Sequence, residues 1–178
     1  MAHKHTTTIL PVYACEQRSN YDCGPAALRS VLLSLGKHIS HDEVLQLCPP
    51  HPIYGTPPES IRATMDQLGV SYRDLHRNSQ QDLEQCVDKF HLCLVAYQAW
   101  WASAAEVSKL EGGHYSVVFG YDKTHFFLAD PSVHPTLKQP YLKPIRRVRK
   151  DIFMSRWKDY DMLDNKYEQW MLAVPLNQ

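Results

Sequence analysis

Cys23 opens a long apolar helical pattern, within the run Gln17-Arg18-Ser19-Asn20-Tyr21-Asp22-Cys23-Gly24-Pro25. A helix N-terminus presents N–H groups without intrahelical acceptors and about half a positive charge. That setting favours thiolate over thiol, and the thiolate is the nucleophile. Pro25 suits the first turn, where its missing N–H leaves nothing unpaired, and Gly24 would let a substrate approach the backbone. A second feature lies far along the chain, from Gly112-Gly113-His114 to Asp130-Pro131. It reads as a hairpin turning near Asp122 and Lys123, and counting back from that turn sets His114 opposite Asp130 to within one residue. An imidazole oriented by a carboxylate can take a thiol proton and later return it to a leaving group. Gln17 could donate its side-chain amide to an oxyanion, with the Cys23 backbone N–H as the second donor. Asp22 reads as a helix-start residue rather than a second acid.

The elements that must position these groups follow from patterning. Leu28, Val31, Leu32 and Leu35 recur at helical spacing from Asp22 to Leu35, and Gly36 follows as a C-terminal cap. Ser40 with Glu43, and Thr56 with Pro57 and Glu59, start two further helices, the second burying Ile61, Met65 and Leu68 and stopping at Gly69. Ser79 opens another, with Leu83, Cys86, Val87 and Phe90 on one face. Strands are expected at Leu92–Tyr97, His114–Tyr121, Phe126–Ala129 and Trp170–Val174. Val148–Trp157 reads as a helix burying Ile152 and Phe153, and the basic run Arg146–Lys150 before it reads as a solvated face. Helices first and adjacent strands afterwards predict an α+β fold with an antiparallel sheet. Trp100 and Trp101 fall in the long connection before Gly112 and are candidate walls of a cleft, with Gly24 and Gly113 as candidate substrate-binding positions.

The 178 residues suit one domain spanning 1–178, with residues 1–10 expected to form a flexible terminus. Nineteen basic residues balance nineteen acidic ones, so no overall field favours nucleic acid. No apolar run is long enough for a membrane span, and the polar start does not resemble a secretion signal. The five cysteines, Cys15, Cys23, Cys48, Cys86 and Cys93, form no CxxC pair and predict a reduced, cytoplasmic chain. Cys48 with His51, or His38 with His41, lacks a second pair at metal-binding spacing, so neither a metal nor another cofactor is expected.

The pattern Gln17…Asp22-Cys23-Gly24-Pro25-Ala26-Ala27-Leu28, then Gly113-His114-Tyr115 and Ala129-Asp130-Pro131, resembles the C39-like cysteine peptidases of the papain-like superfamily. The resemblance runs from about Val12 to the final strand and is weakest between Gly36 and Gln98. It implies a papain-like fold, Cys23 as nucleophile, His114 as general base, Asp130 as its orienting partner and Gln17 in the oxyanion hole. The implied activity is hydrolysis of a peptide or amide bond through a thioester. Acyl transfer on the same residues, or peptide binding without turnover, are the alternatives. Exporter-borne relatives cut leaders after a double glycine and are fused to membrane and ATP-binding segments, which this chain does not contain. Gly112-Gly113 is therefore expected to shape the cleft rather than to be cut.

Overall fold

The structure is a computed structural model that describes residues 7–100, 112–135, 143–160 and 165–177. In chain order the elements are β1 (Thr8–Ile9), α1 (Cys23–Ser34), α2 (His41–Leu47), α3 (Pro58–Gln67), β2 (Arg73–Leu75), α4 (Gln80–Asp88), β3 (His91–Gln98), β4 (Gly113–Tyr121), β5 (His125–Ala129), β6 (Ile145–Arg149), α5 (Lys150–Arg156), β7 (Lys158–Tyr160), β8 (Lys166–Glu168) and β9 (Met171–Pro175). An antiparallel sheet runs in the order β2-β9-β3-β4-β5-β6, with β1 added beside β4, and β7 and β8 form a separate ribbon. The α+β expectation holds: α1 packs on β3 and β4, and α4 on the same two strands.

Local chemistry explains most element boundaries. Ser40 and Glu43 form a reciprocal capping box on α2, and Ser79 and Asp82 do the same on α4, each pair satisfying two N–H groups the helix cannot. Gly36 and Gly69 follow α1 and α3 with positive φ, the left-handed conformation that ends a helix. The α1 residues Leu28, Val31 and Leu32 are buried against the sheet together with Leu94, Val117 and Leu172. Behind β3, the Phe153 ring packs 5.4 Å from Tyr97, 5.3 Å from Phe126 and 5.2 Å from Trp157.

Several expectations require correction. Thr56 does not cap α3; the N-cap is Pro57, and the Thr56 carbonyl instead accepts the Tyr115 hydroxyl at 2.9 Å. Phe90 lies past the end of α4 with φ +60° and is 56% exposed rather than on the helix's buried face. The region expected to be one helix from Val148 to Trp157 is divided, with β6 ending at Arg149 and α5 running from Lys150 to Arg156. Along β6 the exposed Ile145, Arg147 and Arg149 alternate with half-buried Arg146 and Val148. This period of two, with charged residues on an edge strand, is how a sheet edge avoids further pairing. The basic run is therefore not simply a solvated face, because Lys150 is buried and ion-paired to Glu84 at 2.8 Å. Phe153 is buried as expected, but Ile152 is 39% exposed. Residues 8 and 9, placed in the flexible terminus, pair instead with Tyr121 and Gly120 where β3 no longer borders β4. Gly120 permits this, because a Cβ there would lie 2.6 Å from the Thr8 carbonyl oxygen.

Candidate active site

The hairpin of β4 and β5 brings His114 to Asp130, though in a different register from the one expected. Val117 pairs with Ala129 and Val118 with Leu128, and an irregularity follows before Gly120. Continuing that ladder sets Asp130 opposite Ser116, so the contact with His114 is diagonal, between positions two apart on one face. His114 Nε2 lies 2.8 Å from Asp130 Oδ1, and both side chains are buried. Ser132 locks the same oxygen with its N–H at 3.0 Å and its hydroxyl at 2.7 Å. Arg146 Nε approaches the other carboxylate oxygen at 2.7 Å. That contact is an ion pair off the line of a hydrogen bond, because Oδ2 has no aligned donor.

Burial alone would raise the Asp130 pKa. The hydrogen bond and charge of His114, the Arg146 guanidinium and the Ser132 hydroxyl outweigh it and hold the acid down at about 2. Burial likewise opposes the imidazolium of His114, yet hydrogen bonding to Asp130 and to the Cys23 side chain raises its pKa to about 9. With Nε2 facing Asp130, Nδ1 is the nitrogen left for Cys23. Two rings flank the imidazole: Tyr97, 6.0 Å away and edge-on, and Trp100, 5.1 Å away. Arg146 lies over Trp100 with its guanidinium carbon 5.5 Å from the ring centre.

Cys23 is the first residue of α1 and lines a cleft of about 640 Å³. Asp22 is the N-cap residue, but its side chain makes no capping hydrogen bond. It accepts instead from the Arg18 and Ser19 N–H groups and the Ser19 hydroxyl, and it meets His41 Nε2 at 2.9 Å inside the protein. Burial raises the Asp22 pKa, and these hydrogen bonds more than reverse that, leaving it lowered. The helix N–H groups at Cys23 and Gly24 thus keep no carboxylate of their own. The loop bearing Gln17 is tied to the far side of the site by its N–H, which donates to the Pro131 carbonyl at 2.9 Å. The Gln17 amide nitrogen donates to the Ser19 carbonyl at 2.6 Å, and its amide oxygen is buried without a partner.

Among the other sequence candidates, Gly113 and the half-exposed Trp100 line the cleft. Gly24 does not line it. Gly24 is buried against Thr56, whose Cβ would be 2.6 Å from an added Cβ, so the missing side chain allows helix and loop to pack rather than a substrate to approach. Trp101 lies outside the described residues.

Residues 12–166 match the model of the peptidase C39 family. The chain belongs to the peptidase C39 family. An uncharacterized protein of Methanothermobacter marburgensis is 31% identical over 137 residues, 77% of each chain. A C39-like peptidase from Bacillus anthracis superposes with a TM-score of 0.68 at 13% identity, covering 95% of this chain and 98% of that one. A double glycine motif protease from an AMS/PCAT transporter, solved with its leader peptide, gives a TM-score of 0.64 at 14% identity and 94% coverage of both chains. These structures share the papain-like architecture of C39 peptidase domains. Among the described residues of this C39 chain, no helix is long and apolar enough to cross a membrane.

Three site residues of this C39 domain escaped the sequence reading. Arg146 falls within the basic run, and alternation along β6 turns it inward. Gln98 is fully buried; its Oε1 accepts the Gly112 N–H at 2.8 Å and its Nε2 donates to Asp159 Oδ1 at 3.0 Å. Asp159, on β7, lines the cleft beside Gly113 and gave no local signal.

Proposed function

We propose that this chain is a cysteine peptidase that hydrolyses a peptide or amide bond through an acyl-enzyme thioester. The carrying observation is the imidazole of His114, held by Asp130 on Nε2 and interacting with the Cys23 side chain. Cys23 Sγ, its proton already passed to His114 Nδ1, attacks the carbonyl carbon as a thiolate, and the carbonyl π pair moves to oxygen. The oxyanion is held by the Cys23 N–H at the start of α1 and by the second amide hydrogen of Gln17, the first being given to Ser19. The C–N bond then breaks and His114 protonates the departing amine. Water attacks the thioester, giving its proton to His114, and the C–S bond breaks to release the acid and restore Cys23. All five cysteines are free, which fits a reduced cytoplasm.

A peptide-like electrophile tests the reading. Labelling confined to Cys23, lost in His114→Ala, together with turnover of fluorogenic peptides that disappears in Cys23→Ala, is the expected result. Slow, equal labelling of all five thiols would leave only a peptide-binding module. An added amine that captures the acyl group in place of water would reassign the reaction as acyl transfer.

A further inference from the structure

The cleft holds a carboxylate that the hydrolytic steps do not use. Asp159 reaches it from β7, where it pairs with Tyr167 of β8. Its Oδ1 is fixed by Gln98 Nε2 at 3.0 Å and by the Tyr160 N–H at 2.9 Å. Its Oδ2 lies over Gly113, 2.5 Å from where a Cβ would be, so only glycine fits before the base. Among the described residues no donor reaches Oδ2. None of the described side chains lining the cleft is Lys, Arg or His, and the His114 ring, whose charge also reaches Asp159, is hydrogen-bonded to Asp130 instead. Burial holds the Asp159 pKa up near 7, against the opposing pull of the Tyr160 N–H, the Gln98 amide and the charge of His114.

The remaining walls of the cleft suit a cation. Tyr21, Tyr54, Trp100, Tyr115, Tyr160 and Tyr167 line the same cleft. Aromatic faces beside a carboxylate attract an ammonium or guanidinium and give little to an anion. Glu59, a second carboxylate behind this wall, accepts the Tyr167 hydroxyl at 2.7 Å and is already paired to Arg62 at 2.6 Å, which leaves Asp159 as the carboxylate facing the cleft. Gln98 holds Asp159 and the strand that carries His114 from one amide, which fixes the acid in relation to the scissile bond.

We propose that Asp159 is a specificity residue, selecting peptides that place a positive charge in this cleft beside the bond attacked by Cys23. The inference rests on the peptidase reading for that bond, while the charge preference can be read from binding alone. The cation is either a Lys or Arg side chain or a free α-amino group.

The test uses one peptide series in which each position in turn carries Lys, Arg, norleucine, Gln or Glu, with the N-terminus free or acetylated. Binding is measured on Cys23→Ala and kcat/KM on the otherwise unaltered protein. Lys or Arg peptides are expected to bind at least tenfold better than norleucine or Gln peptides, and Glu peptides worst, with the preference shrinking as salt rises. Asp159→Asn is expected to bring the cation-to-norleucine ratio below about two, and Asp159→Glu to keep most of it. A preference that survives acetylation assigns the site to a side chain, and one lost on acetylation assigns it to the α-amino group. Equal binding of Lys, Gln and norleucine peptides overturns the proposal even if Asp159→Asn does not fold, as does a preference undisturbed in a folded Asp159→Asn. Peptides that bind with the charge preference but are never cut overturn hydrolysis and leave the selectivity standing. Failure to bind any peptide overturns both.

Discussion

Replacing Asp130 by Asn or by Ala should have sharply different consequences, and the difference follows from which oxygen does what. Oδ1 accepts from His114 and twice from Ser132, whereas among the described residues Oδ2 meets only Arg146, whose side chain is about one-third exposed. Asn will therefore keep its oxygen on the Oδ1 side, turn its NH₂ toward Arg146 and let that guanidinium swing to solvent. The imidazole then keeps its proton on Nε2 and its lone pair toward Cys23. What disappears is the negative charge, so His114 should titrate below its value of about 9. Peptide turnover should fall about 10- to 100-fold, part of the 10²–10⁴ that a positioned base supplies. Asp130→Ala removes the acceptor as well as the charge. Turnover should then fall by about 10³ or more, and stripping one partner from a buried ion pair should cost about 3–5 kcal/mol. At this chain length that corresponds to a melting temperature lower by roughly 6–20 °C. Turnover with matched fluorogenic peptides and thermal melts of both variants provide the measurement. Equal losses of turnover in the two variants, or an unshifted melt for Asp130→Ala, would refute the orienting role.

In Cys23→Ala, which removes one small side chain at the cleft, turnover should vanish while the melt changes little, and His114 should titrate lower because its interaction with Cys23 is gone; NMR titration of the imidazole reports this. Arg146→Gln should raise the Asp130 pKa and reduce turnover about 2- to 10-fold, an order-of-magnitude figure for loss of one partly exposed charge contact, read by kcat/KM across pH. The raised His114 pKa stabilises the fold fully below 6.5 and ceases to as pH rises through about 9, whereas the lowered Asp130 pKa stabilises above 3.8 and ceases to as pH falls through about 2. The melt difference between the unaltered protein and His114→Gln should accordingly be largest between pH 3.8 and 6.5 and shrink on both sides.

What could be read from sequence was whatever is encoded locally. Ser40 and Glu43, Ser79, and the glycines after α1 and α3 announce helix ends by side-chain or backbone chemistry confined to a few residues. The Cys23 and His114 motifs were equally legible, since each sits at the end of a strongly patterned element. Register was less so: the turn holds four residues, from Asp122 to His125, because the Asp122 carboxylate accepts the Thr124 and His125 N–H groups, and the irregularity near Phe119 takes back only part of the offset this creates. Short strands such as β2, β7 and β8 carry too few residues to show a period, and their identity comes from partners distant in the chain. β6 was misread for the same reason, as its arginines make sense only beside β5. Asp159 and Gln98 became functional candidates only when the ribbon and β3 met at the cleft.

The proposed nucleophile lies on the first helix, whereas its proposed base and orienting acid lie on a hairpin from the other half of the chain, with β4 lodged between β3 and β5. During synthesis the thiol emerges long before the residues that activate it exist. On the proposed mechanism, hydrolytic capacity is therefore switched on by completion of the sheet, and a nascent or broken chain that stops short of Asp130 would pose no danger to the peptides around it.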